Sequence, residues 1–338
     1  MRRDQRRPGT ALSIRGFVLP ATVILLALIS VGVALMSHRS DQLRELVVAS
    51  KQEADAEAAV QDTLARMMYI SSLLPRTGGQ MGTIQLDGRY YDTSSGVYVS
   101  VLDGGALIDL RHASGLEISG LLRALGVPEA SIDTLTDTLL DYQDADSLVR
   151  LNGAEAPDYA AAGMPPPRNG ALLMPTELQR IMAWKDLDPA TLRKILDNVY
   201  VSTDNALNRN TVKAPVLAAA GGADLAAAQA LIALRDSGRP LAIESLPNIA
   251  RGSFFGASRY LAQPSATLLL TLCPTSVAWC QRVSLTTSAD GEAPWHVDYS
   301  LRRPRTDPLP PRSQVTELPD QSPVQQAPVI MTPFGILQ

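Results

Sequence analysis

Phe17–Met36, FVLPATVILLALISVGVALM, is a run of twenty residues without a charge. At about 1.5 Å of rise per residue, a helix of that length is roughly 30 Å long, the thickness of a bilayer's hydrocarbon core. Residues 1–16 precede it, MRRDQRRPGTALSIRG, with five arginines against one aspartate. Basic flanks stay cytoplasmic, so the chain beyond residue 36 or so is expected on the far side of the membrane. A cleaved secretory signal also begins basic and turns apolar. Its apolar part is shorter, however. The one A-x-A-like stretch here, Gly32-Val33-Ala34, lies inside the apolar run. A plain uncleaved anchor is the other ordinary explanation.

Downstream the pattern stays helical. Leu43, Val47, Val60, Leu64, Met67 and Leu74 recur at three- and four-residue steps, with acids and bases on the other faces. No proline intervenes between Ser37 and Leu74, and Pro75 ends the run. The apolar segment and its amphipathic extension therefore predict one helix of roughly sixty residues, longer than globular helices usually are. Pro20 falls in its first turn, where a missing amide costs little.

Strand signals follow at 83–86, 89–93 and 97–102, with Asp87-Gly88 predicting a tight hairpin turn. The pattern then turns helical: 114–125, stopped by Gly126, then 128–142, 175–184 and 189–196. Residues 214–220 and 223–235 form a second helix–Gly–helix unit. Aligning Gly126 with Gly221 suggests a weak internal repeat of a helical hairpin. Such hairpins can bind DNA phosphate, but both turns here are flanked by acids, which favours packing. Extended segments return at 259–263, 266–272, 278–286 and 296–302. Beyond Pro304 the chain is proline-rich and polar, a composition that predicts disorder. Strands on either side of a helical block imply an insertion, which is tolerated when its two ends emerge close together.

The 338 residues carry a net charge of −4. The leader accounts for +4, so the remainder carries −8, which argues against sequence-independent nucleic-acid binding. Cys273 and Cys280 are close enough for a local disulfide in an oxidising compartment; two buried free thiols are the alternative. His38, His112 and His296 are scattered. No G-x-S-x-G, P-loop, H-E-x-x-H or G-x-G-x-x-G occurs, so no enzyme activity is expected.

One segment concentrates chemistry. Residues 140–159, LDYQDADSLVRLNGAEAPDY, hold Asp141, Asp144, Asp146, Glu155 and Asp158. Carboxylates with loop carbonyls suit calcium, a hard cation of flexible coordination. Asp144, Asp146 and Glu155 fit EF-hand positions 1, 3 and 12, but Leu148 and Val149 break that loop, the latter where glycine is needed. An irregular calcium loop and a solvated acidic turn both remain open.

Two features resemble a known family. A short leader ending in Gly16, then Phe17 and an apolar helix, resembles the signal of type IV pilins and type II secretion pseudopilins. The string Leu139 to Asp146, followed by Asn152-Gly153-Ala154-Glu155 and Tyr159, resembles the D-W-x-D-x-D…N-G-A-E…Y hallmark of K-type minor pseudopilins. Asn169-Gly170, Glu177-Leu178, Leu207 to Thr211 and Ser258-Arg259-Tyr260 add to the likeness, which spans residues 15 to 303. The resemblance implies cleavage after Gly16 by prepilin peptidase and methylation of Phe17. Most relatives carry Glu at the fifth mature position; this chain has Ala21 there, and absence of the Glu is typical of the K-type branch. It implies an α+β fold: a pilin-like long N-terminal helix packed on a small antiparallel sheet, with a large all-helical domain inserted between strands. The expected organisation is a leader (1–16), a transmembrane helix (17–37), an amphipathic helix with the first part of the sheet (38–108), the helical insert (109–244), the remaining sheet (245–304) and a disordered tail (305–338). The resemblance further implies structural calcium on Asp144, Asp146 and Glu155, with Asp141 and Asp158 in weaker positions. It implies I-type and J-type minor pseudopilins as partners, beside other components of the secretion system, and a place at the fibre tip. Tyr142 stands where the family has Trp, and Asp109-Leu110-Arg111 replaces its Asn-x-Asn, so the next helix is expected to be capped differently. A type IV pilus minor pilin and a membrane-anchored periplasmic calcium-dependent binding domain are the alternatives.

Overall fold

A single helix, α1, runs from Val18 to Leu73 because no proline falls between Pro20 and Pro75. The computed structural model of the protein describes residues 18–202, 205–247, 260–287 and 294–319. Gly16 and Phe17 lie outside them, as do Ser258 and Arg259. The chain divides into two units, Met1–Glu57 and Ala58–Gln338. In the first, α1 is long enough, and near its start apolar enough, to cross a bilayer. Its side chains there, such as Leu25, Leu28 and Leu35, are exposed within the protein.

In the second unit Val60, Leu64, Met67 and Ile70 form one buried stripe on the back part of α1. Short strands follow: β1 (Arg76–Thr77), β2 (Gln80–Met81) and β3 (Ile84–Gln85). Then come β4 (Asp87–Asp92) and β5 (Val97–Asp103), and a 3-10 turn at Gly104–Ala106. Asp87-Gly88 is not the hairpin turn the dipeptide predicts. It opens β4, at a register shift against β5, and the chain reverses instead through Thr93–Gly96, with Ser94 and Gly96 at φ of 58° and 78°.

The helical block begins after β6 (Ile108–Asp109). It contains α2 (Gly115–Ala124), α3 (Glu129–Gln143), α4 (Ala156–Ala161) and α5 (Pro189–Leu196). After β7 (Val199–Tyr200) and β8 (Leu207–Asn208) come α6 (Ala214–Gly221) and α7 (Leu225–Asp236). The helix predicted over 175–184 is instead a 3-10 run, Pro175–Arg180, followed after Ala183 (φ 69°) by another at Trp184–Asp186. Ser114 caps α2 by a capping box with Glu117. The two helical hairpins do pack on each other through α2 and α6, where a Cβ on Gly120 would lie 3.0 Å from the Ala219 Cα. Their register differs from the predicted one by one residue: the left-handed glycines are Gly126 and Gly222.

The sheet resumes with β9 (Tyr260–Leu261), β10 (Thr267–Pro274), β11 (Trp279–Thr287) and β12 (Trp295–Pro304). Its order is β12-β11-β10-β5-β4, antiparallel throughout. Period-two alternation explains its two buried faces. Val97, Val99, Val101, Leu268, Leu270, Leu272, Val283 and Leu285 join the α1 stripe in one core. Leu102 and Leu269 join Ala106, Leu107 and Tyr200 on the other side. A disulfide joins Cys273 to Cys280 across the β10–β11 hairpin. Because β5 and β10 are neighbours, with Asp103 opposite Leu268, the ends of the helical insert emerge side by side.

The tail departs from expectation. Residues 305–319 are not disordered: β13 (Thr316–Glu317) pairs parallel to β4 at the sheet edge. Arg312 Nε lies 2.8 Å from Asp92 Oδ2, and the Leu318 amide donates to the Asp92 carbonyl at 2.8 Å. The Leu318 side chain enters the α1 core. Composition does not reveal this, because one buried leucine and a borrowed sheet edge hold the segment, not an apolar run. Residues 320–338 lie outside the described part. Truncation after Pro304 is expected to cost about 2 kcal/mol, the value of one buried leucine, and to leave the β4 edge open to self-association. Denaturant unfolding and light scattering of the truncated chain check both.

A second prediction comes from the underside of the sheet. Lys213 Nζ donates to the Asp197 carbonyl at 2.7 Å, beside Arg282 and Arg303, both of which face the Asp197 carboxylate. Burial, then the charge of Arg282, lowers the Lys213 pKa to about 8 from the ordinary 10.5. The unfolded chain therefore binds one more proton than the folded chain between those values, and this site makes stability rise with pH across that window. Lys213→Met is expected to flatten that rise in melting temperatures measured from pH 7.5 to 10.

Candidate acidic site in the helical block

α3 delivers the first two carboxylates of the acidic segment. Asp141 is fully buried in its last turn. Asp144 follows as the C-cap, its amide donating to the Leu140 carbonyl at 3.0 Å. The chain then loops out through Asp146, whose Oδ1 accepts the Leu148 amide at 2.9 Å. The loop's apolar residues are turned outward: Leu148 is 76% exposed and Leu151 96%.

Arg150 folds back. Its Nη1 lies 2.5 Å from both Asp141 Oδ1 and Asp144 Oδ2, and its backbone amide donates to Asp141 Oδ2 at 3.1 Å. These hydrogen bonds, with Asp144 first and Asp141 second, raise the guanidinium pKa above its usual range. Asn152 is tied to the α3 flank, its amide and Nδ2 both donating to Asp137 Oδ2 at 3.0 Å. Gly153 then passes so close to Asp141 that an added Cβ would sit 1.8 Å from Asp141 Oδ2.

Glu155 is the N-cap of α4, is 1% exposed and faces the first amides of α4 in a capping box with Asp158, with neither carboxylate oxygen in a full hydrogen bond. Asp144 Oδ1 is likewise buried without a partner. Burial, then the charges of Asp141 and Asp144, raises the Glu155 pKa. Asp158 points back along its own helix start, where its Oδ2 accepts the Glu155 amide at 3.0 Å. Asp141, Asp144 and Glu155 are thus neighbours, Asp146 is on the rim, and Asp158 serves the beginning of α4. Among the described residues, no group of three or more His, Cys, Asp or Glu side chains is placed to hold a metal ion, and Arg150 bonds the Asp141–Asp144 pair.

Aromatic and polar residues support the loop. Tyr142 packs against Tyr159 with ring centroids 6.4 Å apart, and Tyr159 Oη accepts the Met182 amide at 3.1 Å. Glu177 accepts the Leu173 amide at 3.0 Å and Arg168 Nε at 2.8 Å.

A second polar centre, without a signal in the sequence, lies at the foot of the insert. Asp103 is fully buried. Its Oδ1 accepts the Gly105 amide at 3.0 Å and the Ser265 amide at 2.9 Å; its Oδ2 accepts Asn208 Nδ2 at 2.7 Å and Thr211 Oγ1 at 2.8 Å. One carboxylate therefore holds both the departing and returning chains. Nearby, Asp109 Oδ1 accepts the Arg111 amide and the Ser202 amide, and Oδ2 lies 2.5 Å from His112 Nδ1. Burial raises the Asp109 pKa, opposed by the bond to His112.

Residues 109–204, the first part of this block, match the family model for protein K of the type II secretion system. The fold as a whole is similar to a chain in a crystal structure of the GspK–GspI–GspJ complex from the enterotoxigenic Escherichia coli type 2 secretion system. The TM-score is 0.55 at 15% identity, over 78% of this chain and 99% of that one. The matched block is similar to protein K of the type II secretion system over that stretch alone. At that identity the structural likeness speaks for the fold alone. No curated protein sequence gives a significant match.

Proposed function

We propose that this chain is a K-type minor pseudopilin, that it sits at the tip of a type II secretion pseudopilus and that it starts the fibre that exports folded proteins across the outer membrane. The observation that carries the reading is the protein K block at 109–204, inserted where β5 and β10 adjoin. A head enlarged by this block leaves no room for a further subunit above it. Ala21 supports the same place. A carboxylate in hydrocarbon is costly unless paired. A subunit without one does not need the amine of a subunit ahead of it. In this reading the leader is cytoplasmic, α1 spans the inner membrane once, and the bulk is periplasmic. Prepilin peptidase cleaves after Gly16 and methylates Phe17. The I-type and J-type minor pseudopilins are its partners, packed through parallel N-terminal helices.

Structural calcium at the acidic loop is part of the same proposal, supported by the chemistry of its donors. Glu155 is a buried carboxylate with neither oxygen bonded, Asp144 keeps a buried unbonded oxygen, and oxygen-only donors suit a hard cation. Asp144, Asp146 and Glu155 would hold the ion, with Asp141 behind them. Bound calcium would supply the positive charge that fastens the loop to the ends of α3 and α4. Asp158, already bonded to the Glu155 amide, would position rather than ligate.

Co-expression with the I-type and J-type pseudopilins, followed by size exclusion and mass photometry, tests the assembly. The expected result is one complex holding one copy of each. A homopolymer of this chain, or no association, would reject the tip role.

A further inference from the structure

The β4 edge of the sheet is covered by the chain's own tail, and the cover is slight. From Arg305, whose Nη1 donates to the Pro274 carbonyl at 2.9 Å, the chain crosses to β4 through a segment holding Pro308, Pro310 and Pro311. A 3-10 turn at Arg312–Gln314 then leads into β13. Two residue pairs are in register, Thr316 with Tyr91 and Glu317 with Asp92. Between Thr306 and Pro319, Leu318 is the single buried residue, at 4% exposure. Arg312 meets Asp92, but its side chain is 79% exposed, and an ion pair so open to water is weak.

The edge also offers more than the tail uses. β4 runs from Asp87 to Asp92, and β13 pairs only with its last two residues. Ahead of them the 3-10 turn stands off the strand and leaves a cavity. Asp87, Arg89 and Tyr90 line one wall of it, and Pro310, Gln314 and Val315 the other. A strand edge, a side-chain pocket and a charge beside it are the parts of β-strand addition, in which main-chain bonds give affinity and pockets give selectivity. Leu318 shows what the pocket takes: it joins the core that holds Tyr91, Val97 and Val60. Asp92, whose side chain is 10% exposed, favours a base six residues ahead of that leucine.

We propose that the β4 edge is a peptide-docking groove for an extended partner segment with a leucine and, six positions before it, a basic residue; residues 312–319 occupy it in cis until such a segment replaces them. The proline-rich crossing is the tether that keeps the tail at hand. The proposal is independent of the metal reading and of the place at the fibre tip.

Fluorescence anisotropy with a labelled peptide of residues 308–319 tests this. The receptors are the full-length protein in detergent, as wild type and as Leu318→Ala, and the chain truncated after Pro304. Both altered receptors are expected to bind the peptide with a Kd of about 50 μM. Wild type is expected to bind about twentyfold more weakly, because its own tail competes at an effective concentration of about 1 mM. A peptide carrying Leu318→Ala is expected to lose about thirtyfold in affinity, and one carrying Arg312→Glu about threefold. Should the truncated chain fail to fold, the full-length Leu318→Ala protein carries the test. No saturable binding to that protein, while its circular dichroism matches wild type, would make the tail a permanent clamp and overturn the proposal. Equal binding of the unaltered and Leu318→Ala peptides would overturn it too.

Discussion

Asp103→Ala is expected to lower the stability of the folded head by about 3–5 kcal/mol, and its melting temperature by roughly 10 °C. Four donors converge on this fully buried carboxylate: the Gly105 and Ser265 amides, Asn208 Nδ2 and Thr211 Oγ1. Alanine leaves all four without an acceptor inside the protein, and an unsatisfied buried donor costs about 1–3 kcal/mol. The donors do not belong to one element. Gly105 lies where the chain leaves β5, Asn208 and Thr211 lie late in the insert, and Ser265 lies just before β10. Losing the carboxylate therefore loosens the seam between the sheet and the helical block, not one turn. Asp103→Asn separates the two halves of the effect. The amide keeps an acceptor oxygen for one pair of donors and presents an NH2 group to the other pair. Its loss should be about half as large. Chemical denaturation of both variants decides the matter. An alanine variant within about 1 kcal/mol of wild type would mean that the seam is held by packing alone.

Gly153→Ala is the second large effect. Its Cβ would lie 1.8 Å from Asp141 Oδ2, and Asp141 cannot simply turn aside. Its two oxygens are fixed by the Arg150 side chain and amide, and its backbone is inside α3. Either the loop or the helix end must shift, at a cost of about 2–4 kcal/mol. The same shift separates Asp141 and Asp144 from Glu155. Gly126→Ala is the informative contrast. Gly126 has open space around its missing Cβ but a φ of +82°, so the expected cost is the backbone strain alone, about 1 kcal/mol, with the acidic loop untouched. Equal melting temperatures for Gly153→Ala and wild type would contradict the observed closeness of the loop to α3.

Much of this architecture is legible from local pattern. The long helix announces itself by an uncharged run, an amphipathic continuation and Pro75. The late strands show their β-branched and apolar alternation, and the helices from 114 to 143 show their period and their glycine stop. What is not legible depends on distance or on competition between local signals. Asp87-Gly88 is a good turn dipeptide, but Ser94 and Gly96 supply the left-handed residues at a place that keeps Val97, Val99 and Val101 facing α1. Pro175–Trp184 has helical composition but folds as two 3-10 turns, which brings Glu177 to the Leu173 amide and Arg168. The acidic residues of 141–158 are visible as a cluster, whereas Arg150, the residue that organises them, carries no ligand atom and so gives no metal signal. Asp103 leaves no trace either, since three of its four partners are more than a hundred residues away in sequence. In the tail, Leu318 looks like one apolar residue in a polar stretch until the β4 edge is seen beside it.

The proposed role turns on how the amino terminus is processed, and intact-mass spectrometry of the protein extracted from membranes of a strain with an active type II secretion system tests it most directly. The account predicts a chain that starts at Phe17 and carries one added methyl group. A chain that starts at Met1, or one cut near Ala34, would contradict it.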